Sequence, residues 1–339
     1  MAIMSGTTSQ SLDSHSITAF GLMVRVTTYG ASLMDLRLCD APDFASHSLV
    51  LGFTNPASYA SHNAHMGATA GRYANRIANG QFQINGQDYH CDRNENGTHC
   101  LHGGSQGCGT MIWQITDHGP DFVTMCYEEP DGWMGFPGRV RYECTYQLKP
   151  DATLAIMYKA QVSQPTIINL AHHSYFNLSG GSDIADHLLQ VAADDYLPVR
   201  PDMIPTGEIV PVANSLFDFR EKRAIGHHAY DHNFCLRPHQ GLRQVACLSH
   251  PQTGIEMRLS SDQAGLQFYT GDHLHERVDT HHKVPYGPRS GLCLEPQNWP
   301  NSPNEDHFPS ALVTPSMRYH QQLEMTFSLS SEIKQGFAK

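Results

Sequence analysis

The sequence predicts an all-β protein, a large single-domain antiparallel β-sandwich spanning residues 1–339. Three observations predict it. Apolar residues recur with a period of two, not 3.6. Gly, Pro, Asn and Asp clusters cut the chain at short, fairly even intervals. No long amphipathic helix and no Gly/Ser-rich or Pro-rich linker interrupts the pattern.

The clearest strand is Arg139 to Leu148. Val140, Tyr142, Cys144, Tyr146 and Leu148 face one way, and Arg141, Glu143, Thr145 and Gln147 the other. Gln322 to Leu329 repeats the device with Leu323, Met325, Phe327 and Leu329. Such alternation marks a strand with one buried and one wet face. Gln81 to His90 reads as a hairpin, because Asn85-Gly86 suits a turn needing positive φ at both central residues. Further strands are expected at Leu22 to Thr28, Leu49 to Phe53, Phe122 to Glu128, Thr153 to Val162, Leu188 to Ala193, Gln244 to Ser249, Ile255 to Ser260 and Leu266 to Thr270. Short helical turns are expected at Ala57 to Ser61 and Leu216 to Arg220.

Composition narrows the function. The net charge is −11, which argues against nucleic acid or an anionic membrane surface as partner. Charged residues are only 16%, so Ser, Thr, Asn, Gln and His must carry much of the surface. The nine cysteines are scattered without a C-x-x-C pair, which speaks against a structural zinc site and for reduced, mostly buried thiols. Met1 to Ser16 is polar and lacks the basic-then-apolar pattern of a signal peptide. No apolar run approaches the ~18 residues of a membrane span. A cytoplasmic protein is expected, monomeric or homodimeric.

Six segments break the alternation and gather functional groups. Asn169 to Leu178 holds His172, His173, Ser174, Tyr175, Phe176 and Asn177, a mix suited to a cleft wall. A cleft histidine is a candidate proton carrier near neutral pH. Gly67 to Ile77 reads Gly-Ala-Thr-Ala-Gly-Arg-Tyr-Ala-Asn-Arg-Ile; its small residues allow close approach, and Asn75 and Arg76 offer fixed donors. A tight turn with solvated arginines is the plain alternative. His102 precedes Gly103-Gly104, permissive backbone that a ligand can approach. Asp231 in Asp-His-Asn-Phe could accept hydroxyl hydrogen bonds or cap a turn. Gln267 lies within Gly265 to Gly271. Glu295 stands just past an apolar strand in Gly291 to Pro300, where partial burial would raise its pKa toward that of a usable base. Tyr73, Tyr175, Phe176 and Trp299 are the expected aromatic neighbours. Polar side chains beside aromatic faces suit a neutral sugar.

These segments resemble the aldose 1-epimerase (galactose mutarotase) family. Tyr29-Gly30-Ala31, Gly67 to Ile77, Leu101 to Gly104, His173 to Leu178, Asp231 to Leu236, Gln267 to Gly271 and Leu-Glu-Pro-Gln-Asn-Trp-Pro at 294–300 occur in the family's order over nearly the whole chain. The resemblance implies a galactose mutarotase-like supersandwich with an open cleft, an aldohexose substrate, and neither metal nor organic cofactor. It implies Glu295 as general base, His173 as general acid, His102 near the ring oxygen, and Arg76, Asp231, Asn75 and Gln267 on the sugar hydroxyls. The acid would need its proton at neutral pH, so the site should raise the pKa of His173, as a nearby carboxylate could do. His172 stands where the family usually has Asn, so two imidazoles compete for the acid role. The 131–138 loop, with Trp133 and Met134, is commonly more acidic in the family, and Asp272-His273 replaces a more usual Asn-Phe.

Three other functions compete. Epimerisation of a phosphorylated hexose would require a basic cluster. A non-catalytic sugar binder would lack the base or acid. A metal hydrolase is prompted by His172-His173, His227-His228 and His281-His282, yet adjacent residues of a strand face opposite ways and no H-E-x-x-H occurs.

Overall fold

The structure is a computed structural model and describes residues 12–41, 46–62, 64–276, 280–281 and 284–329. Most of Met1 to Ser16, and His282, lie outside the described residues. Regular helix among the described residues is limited to five 3-10 segments. None is long and apolar enough to cross a membrane.

Two antiparallel sheets dominate. The larger has nine strands in the order Arg223–Ala224, Leu188–Val191, Arg243–Ser249, Ile255–Ser261, Tyr319–Leu329, Thr153–Val162, Val140–Lys149, Phe122–Glu129 and Gln114–His118. The smaller has six, in the order Tyr175–Phe176, Leu292–Gln297, Gly265–Tyr269, Asp231–Leu236, Ala193–Tyr196 and Val210–Pro211. One apolar cluster joins them. Tyr142, Tyr146, Ile156, Tyr158, Leu323 and Met325 enter it from the first sheet, and Phe234, Leu236, Leu266, Phe268, Leu292 and Leu294 from the second. The period-two pattern therefore becomes a shared core between two sheets, the sandwich that the sequence predicts. Tyr146 sits wholly in that core and donates its hydroxyl to the Ala31 carbonyl at 2.7 Å, as a buried phenol requires.

The hairpin forms as Gln81–Ile84 and Gln87–His90, with Asn85 and Gly86 both at positive φ. The turn at Ala57 to Ser61 is the 3-10 segment Pro56–Ser61, capped by Asn55 Oδ1 accepting from Ala57 N at 3.0 Å. Two expectations fail. Leu49 to Phe53 is not a strand: Val50 and Phe53 make isolated bridges to Phe176 and Thr280, since the segment is shared between different neighbours. Leu216 to Arg220 is not helical; Leu216 is exposed, and its carbonyl instead accepts from the Tyr230 hydroxyl at 2.9 Å. The strands Ser14–Ala19 and Ser32–Leu38 were not anticipated; with Leu22–Thr27 they form a three-stranded sheet.

The small-residue segment before the site is anchored from below. Arg72 is fully buried rather than solvated. Its Nε donates to Glu129 Oε2 at 2.8 Å, and its Nη1 to the Pro137 carbonyl at 2.7 Å and Thr166 Oγ1 at 3.1 Å. Tyr142 donates to the same Glu129 oxygen at 2.9 Å. Removing one partner of a buried pair strands the other charge, at a cost of about 3–5 kcal/mol. Arg72→Met should lower unfolding free energy by about that amount in urea titration. A loss under ~1 kcal/mol would show that the pair does not anchor this segment.

Candidate active site

Alternation in the six-stranded sheet decides which side chains meet. In Leu292–Gln297, Leu292 and Leu294 point into the core, so Cys293 and Glu295 point to the opposite face. In register beside them stand Gln267 opposite Glu295, Asn233 opposite Gln267, and Asp231 opposite Tyr269, which in turn faces Cys293. Two adjacent rows of polar side chains thus lie on one face. Glu295 is inside the strand, not just past it, and all six residues of that strand are buried.

A second segment closes over this face. Thr69–Ala70 pairs with Ala171–His172. Gly67 N donates to the His173 carbonyl and His173 N to the Ala68 carbonyl, each at 2.9 Å. His172 and His173 consequently face opposite ways. His172 turns inward, bonds Ser174 Oγ at 2.8 Å and lies edge-on to Tyr146. His173 faces the sheet, with Nε2 at 3.8 Å from Glu295 Oε2 and Nδ1 at 3.5 Å from Cys293 Sγ.

Between these elements lies a cavity of about 670 Å³, lined among others by Glu295, His173, His102, Arg76, Asn75, Asp231, His65, Tyr175 and Tyr269. Arg76 is held by a fork onto Glu95, Nε to Oε2 at 2.8 Å and Nη2 to Oε1 at 2.7 Å, with Nη1 at 3.8 Å from Asp231 Oδ2. A guanidinium gripped this way keeps a fixed direction. Gln267 does not line the cavity. It stands behind, its Nε2 donating to Asp231 Oδ1 at 2.6 Å. Asn75 occupies the left-handed region at φ 61°, and its backbone N–H donates to His102 Nδ1 at 3.3 Å. The His102 imidazole must then be neutral with its proton on Nε2, a donor free for the cavity. Gly103 serves a different purpose from that expected: a Cβ there would lie 2.3 Å from Arg72 N, so protein backbone, not a ligand, is what approaches.

Burial governs the protons. It pushes the Glu295 carboxyl well above the usual carboxylate range; the Asp231 charge adds to this and Arg76 opposes it. Burial lowers His173 to about 3, with His65 pushing the same way. The expectation that the site raises the pKa of His173 does not hold: desolvation dominates, and the carboxyl 3.8 Å away is itself pushed toward its neutral form. Both shifts favour the uncharged forms of the pair.

The aromatic neighbours differ from expectation. Only Tyr175 of the four lines the cavity, joined by Tyr29, Phe53, Tyr59 and Tyr269. Tyr73 and Phe176 pack in the interior, and Trp299 stacks edge-on against Phe308. Sequence reading missed His65, Glu95 and Glu276. His65, two residues before Gly67, could have been suspected from its position; Glu95 carried no signal. His273 lines the cavity, whereas Trp133 and Met134 back the 104–106 loop, Trp133 Nε1 donating to the Gln106 carbonyl at 2.8 Å.

Residues 13–326 match the family model described as aldose 1-epimerase. The chain belongs to the aldose 1-epimerase family. It is 39% identical to a mouse galactose mutarotase, over 91% of this chain and 92% of that one, and 32% identical to an Escherichia coli aldose 1-epimerase at the same two coverages. A solved C. elegans structure described as a GalM/aldose epimerase homologue superposes with a TM-score of 0.89 at 27% identity, covering 95% of this chain and 100% of that one. Such family members are isomerases, and the all-β sandwich here is the galactose mutarotase-like fold.

Histidine burial has a testable consequence. His172, His173 and His187 are held at about 3, while an unfolded histidine titrates near ~6.5. Between those values the unfolded chain binds protons that the native state refuses, so stability falls as pH drops below about 6.5. His172→Asn should flatten that fall by about 1.4 kcal/mol per pH unit between roughly pH 4 and 6, measured by urea unfolding. An unchanged slope would mean that His172 titrates normally in the native protein.

Proposed function

We propose that Glu295 and His173 open and reclose the pyranose ring of a free aldohexose such as galactose or glucose, so that the chain interconverts its α and β anomers. The observation that carries this reading is the juxtaposition of a buried carboxylate and a buried imidazole across 3.8 Å, at the wall of a cavity of hexose-accommodating size.

Ring opening needs one proton removed from the C1 hydroxyl and one delivered to the ring oxygen as the C1–O5 bond breaks. Rotation about C1–C2 turns the aldehyde over, and closure with the roles exchanged gives the other anomer. Glu295 takes the hydroxyl proton, and His173 gives its proton to the ring oxygen. Before sugar binds, burial keeps the proton of the pair on the carboxyl. A sugar hydroxyl donating to the carboxylate replaces the hydration that burial removed, stabilises its charge and lets the proton pass to His173. The return step uses the same pair in reverse, so each group serves alternately as donor and acceptor.

Binding draws on the remaining groups. Neutral His102 offers Nε2–H to the ring oxygen or a neighbouring hydroxyl. Arg76 and Asn75 donate, and Asp231, steadied by Gln267, accepts. Arg76 already faces two carboxylates, which favours an uncharged sugar over a phosphorylated one. Tyr175 and Tyr269, edge to face at 6.1 Å, offer an apolar surface for a C–H face of the ring.

Purified protein should speed the optical-rotation change of fresh α-D-galactose or α-D-glucose with no metal added. Glu295→Gln should cost about 10²–10⁴-fold in rate, as should His173→Asn, while His172→Asn should keep nearly full rate. Full activity in Glu295→Gln would remove the base from this account, and loss in His172→Asn with retention in His173→Asn would reverse the choice of acid.

A further inference from the structure

The strand that holds Glu295 also holds a thiol that ring opening does not use. Cys293 is fully buried, two residues earlier on the same face of the strand. His173 sits between the two, with Nδ1 at 3.5 Å from Cys293 Sγ and Nε2 at 3.8 Å from Glu295 Oε2. One donor atom from each residue falls within 4.8 Å of the other two, the only such His/Cys/Asp/Glu grouping among the described residues. Glu295 Oε2 is buried without a hydrogen-bond partner, a lone pair aimed at this space. We infer that Cys293, His173 and Glu295 form a binding site for a soft divalent cation, Zn²⁺ above all, and that an ion held there excludes the sugar.

The donor chemistry fits. Tetrahedral zinc with bonds of about 2.0–2.3 Å places its ligands roughly 3.3–3.8 Å apart, so closure needs movements of at most about 1.5 Å. Thiolate, imidazole and carboxylate together are a borderline-soft set that selects zinc over the oxygen-seeking Mg²⁺ and Ca²⁺. Three protein ligands leave a fourth position of a tetrahedral ion open. The acidic Asp231 adds attraction, and Arg76, neutralised by Glu95, opposes it little. The ion is an inhibitor and not a cofactor, because it occupies both groups that ring opening requires. That consequence rests on the mutarotase reading; the binding site itself does not.

The test separates the two. Isothermal titration of metal-free protein with ZnCl₂ should show one high-affinity ion per chain, absent with MgCl₂. Addition of CoCl₂ should produce a thiolate-to-cobalt charge-transfer band. Both Cys293→Ser and Glu295→Gln should weaken zinc at least about tenfold, with circular dichroism checking that each variant is folded, and Cys293→Ser should abolish the band. Polarimetry of the wild type should show zinc raising the apparent KM for galactose, reversed by EDTA. No zinc binding by the wild type, equal affinity in both folded variants, or a cobalt band surviving Cys293→Ser would overturn the site. Zinc that binds as predicted but leaves KM unchanged would overturn the exclusion of sugar. A protein that binds zinc yet shows no mutarotation without it would leave the site standing and refute the catalytic reading.

Discussion

A carboxylate buried on a strand between two others is the constraint on which the rest of the structure depends. Leu292 and Leu294 must enter the core for the sandwich to close, and strict alternation then forces Cys293 and Glu295 onto the far face. Glu295 is 2% exposed and one oxygen lacks a partner. An uncompensated charge there would be costly, so the group holds a proton at pH values where an exposed glutamate would not. The same face presents Gln267 and Asp231 in neighbouring rows, so the strand register that builds the fold also assembles the polar wall.

The imidazole side is built by different means. His173 lies just past a two-residue strand and owes its direction to backbone bonds with Gly67 and Ala68. That small-residue segment is in turn anchored by buried Arg72 on Glu129, Tyr142, Pro137 and Thr166. The two halves of the site therefore rest on separate supports, one the sheet register and the other a buried ion pair. Burial favours neutral forms on both halves, leaving one proton between Glu295 and His173 and making its position sensitive to whatever enters the cavity.

Much of this was legible in the sequence where the signal is local. Val140 to Leu148 alternates so strictly that its strand could not be mistaken, and Asn85-Gly86 announces its own turn. The segments holding His173, Arg76, His102, Asp231 and Glu295 stood out as polar and glycine-rich interruptions, and the structure brings all five to one cavity. What sequence could not supply is non-local. Leu292–Gln297 does not alternate in burial, because both its faces are covered, and so its Glu295 read as lying beyond a strand. Leu49 to Phe53 is apolar enough for a strand but lacks a continuous partner. Glu95 matters only because Arg76 folds onto it, and Tyr73 and Trp299 read as cleft aromatics but are consumed by packing. The direction of the His173 shift turns on how completely the imidazole is buried, which requires coordinates.

The central claim is that a single proton moves between Glu295 and His173 when sugar enters. Nitrogen-15 NMR of the His173 imidazole at pH 7, recorded without and with saturating galactose, tests it most directly. The account predicts a neutral ring in the empty protein and a shift toward the protonated form when sugar is bound. An imidazole that stays neutral and unmoved at saturation would contradict it.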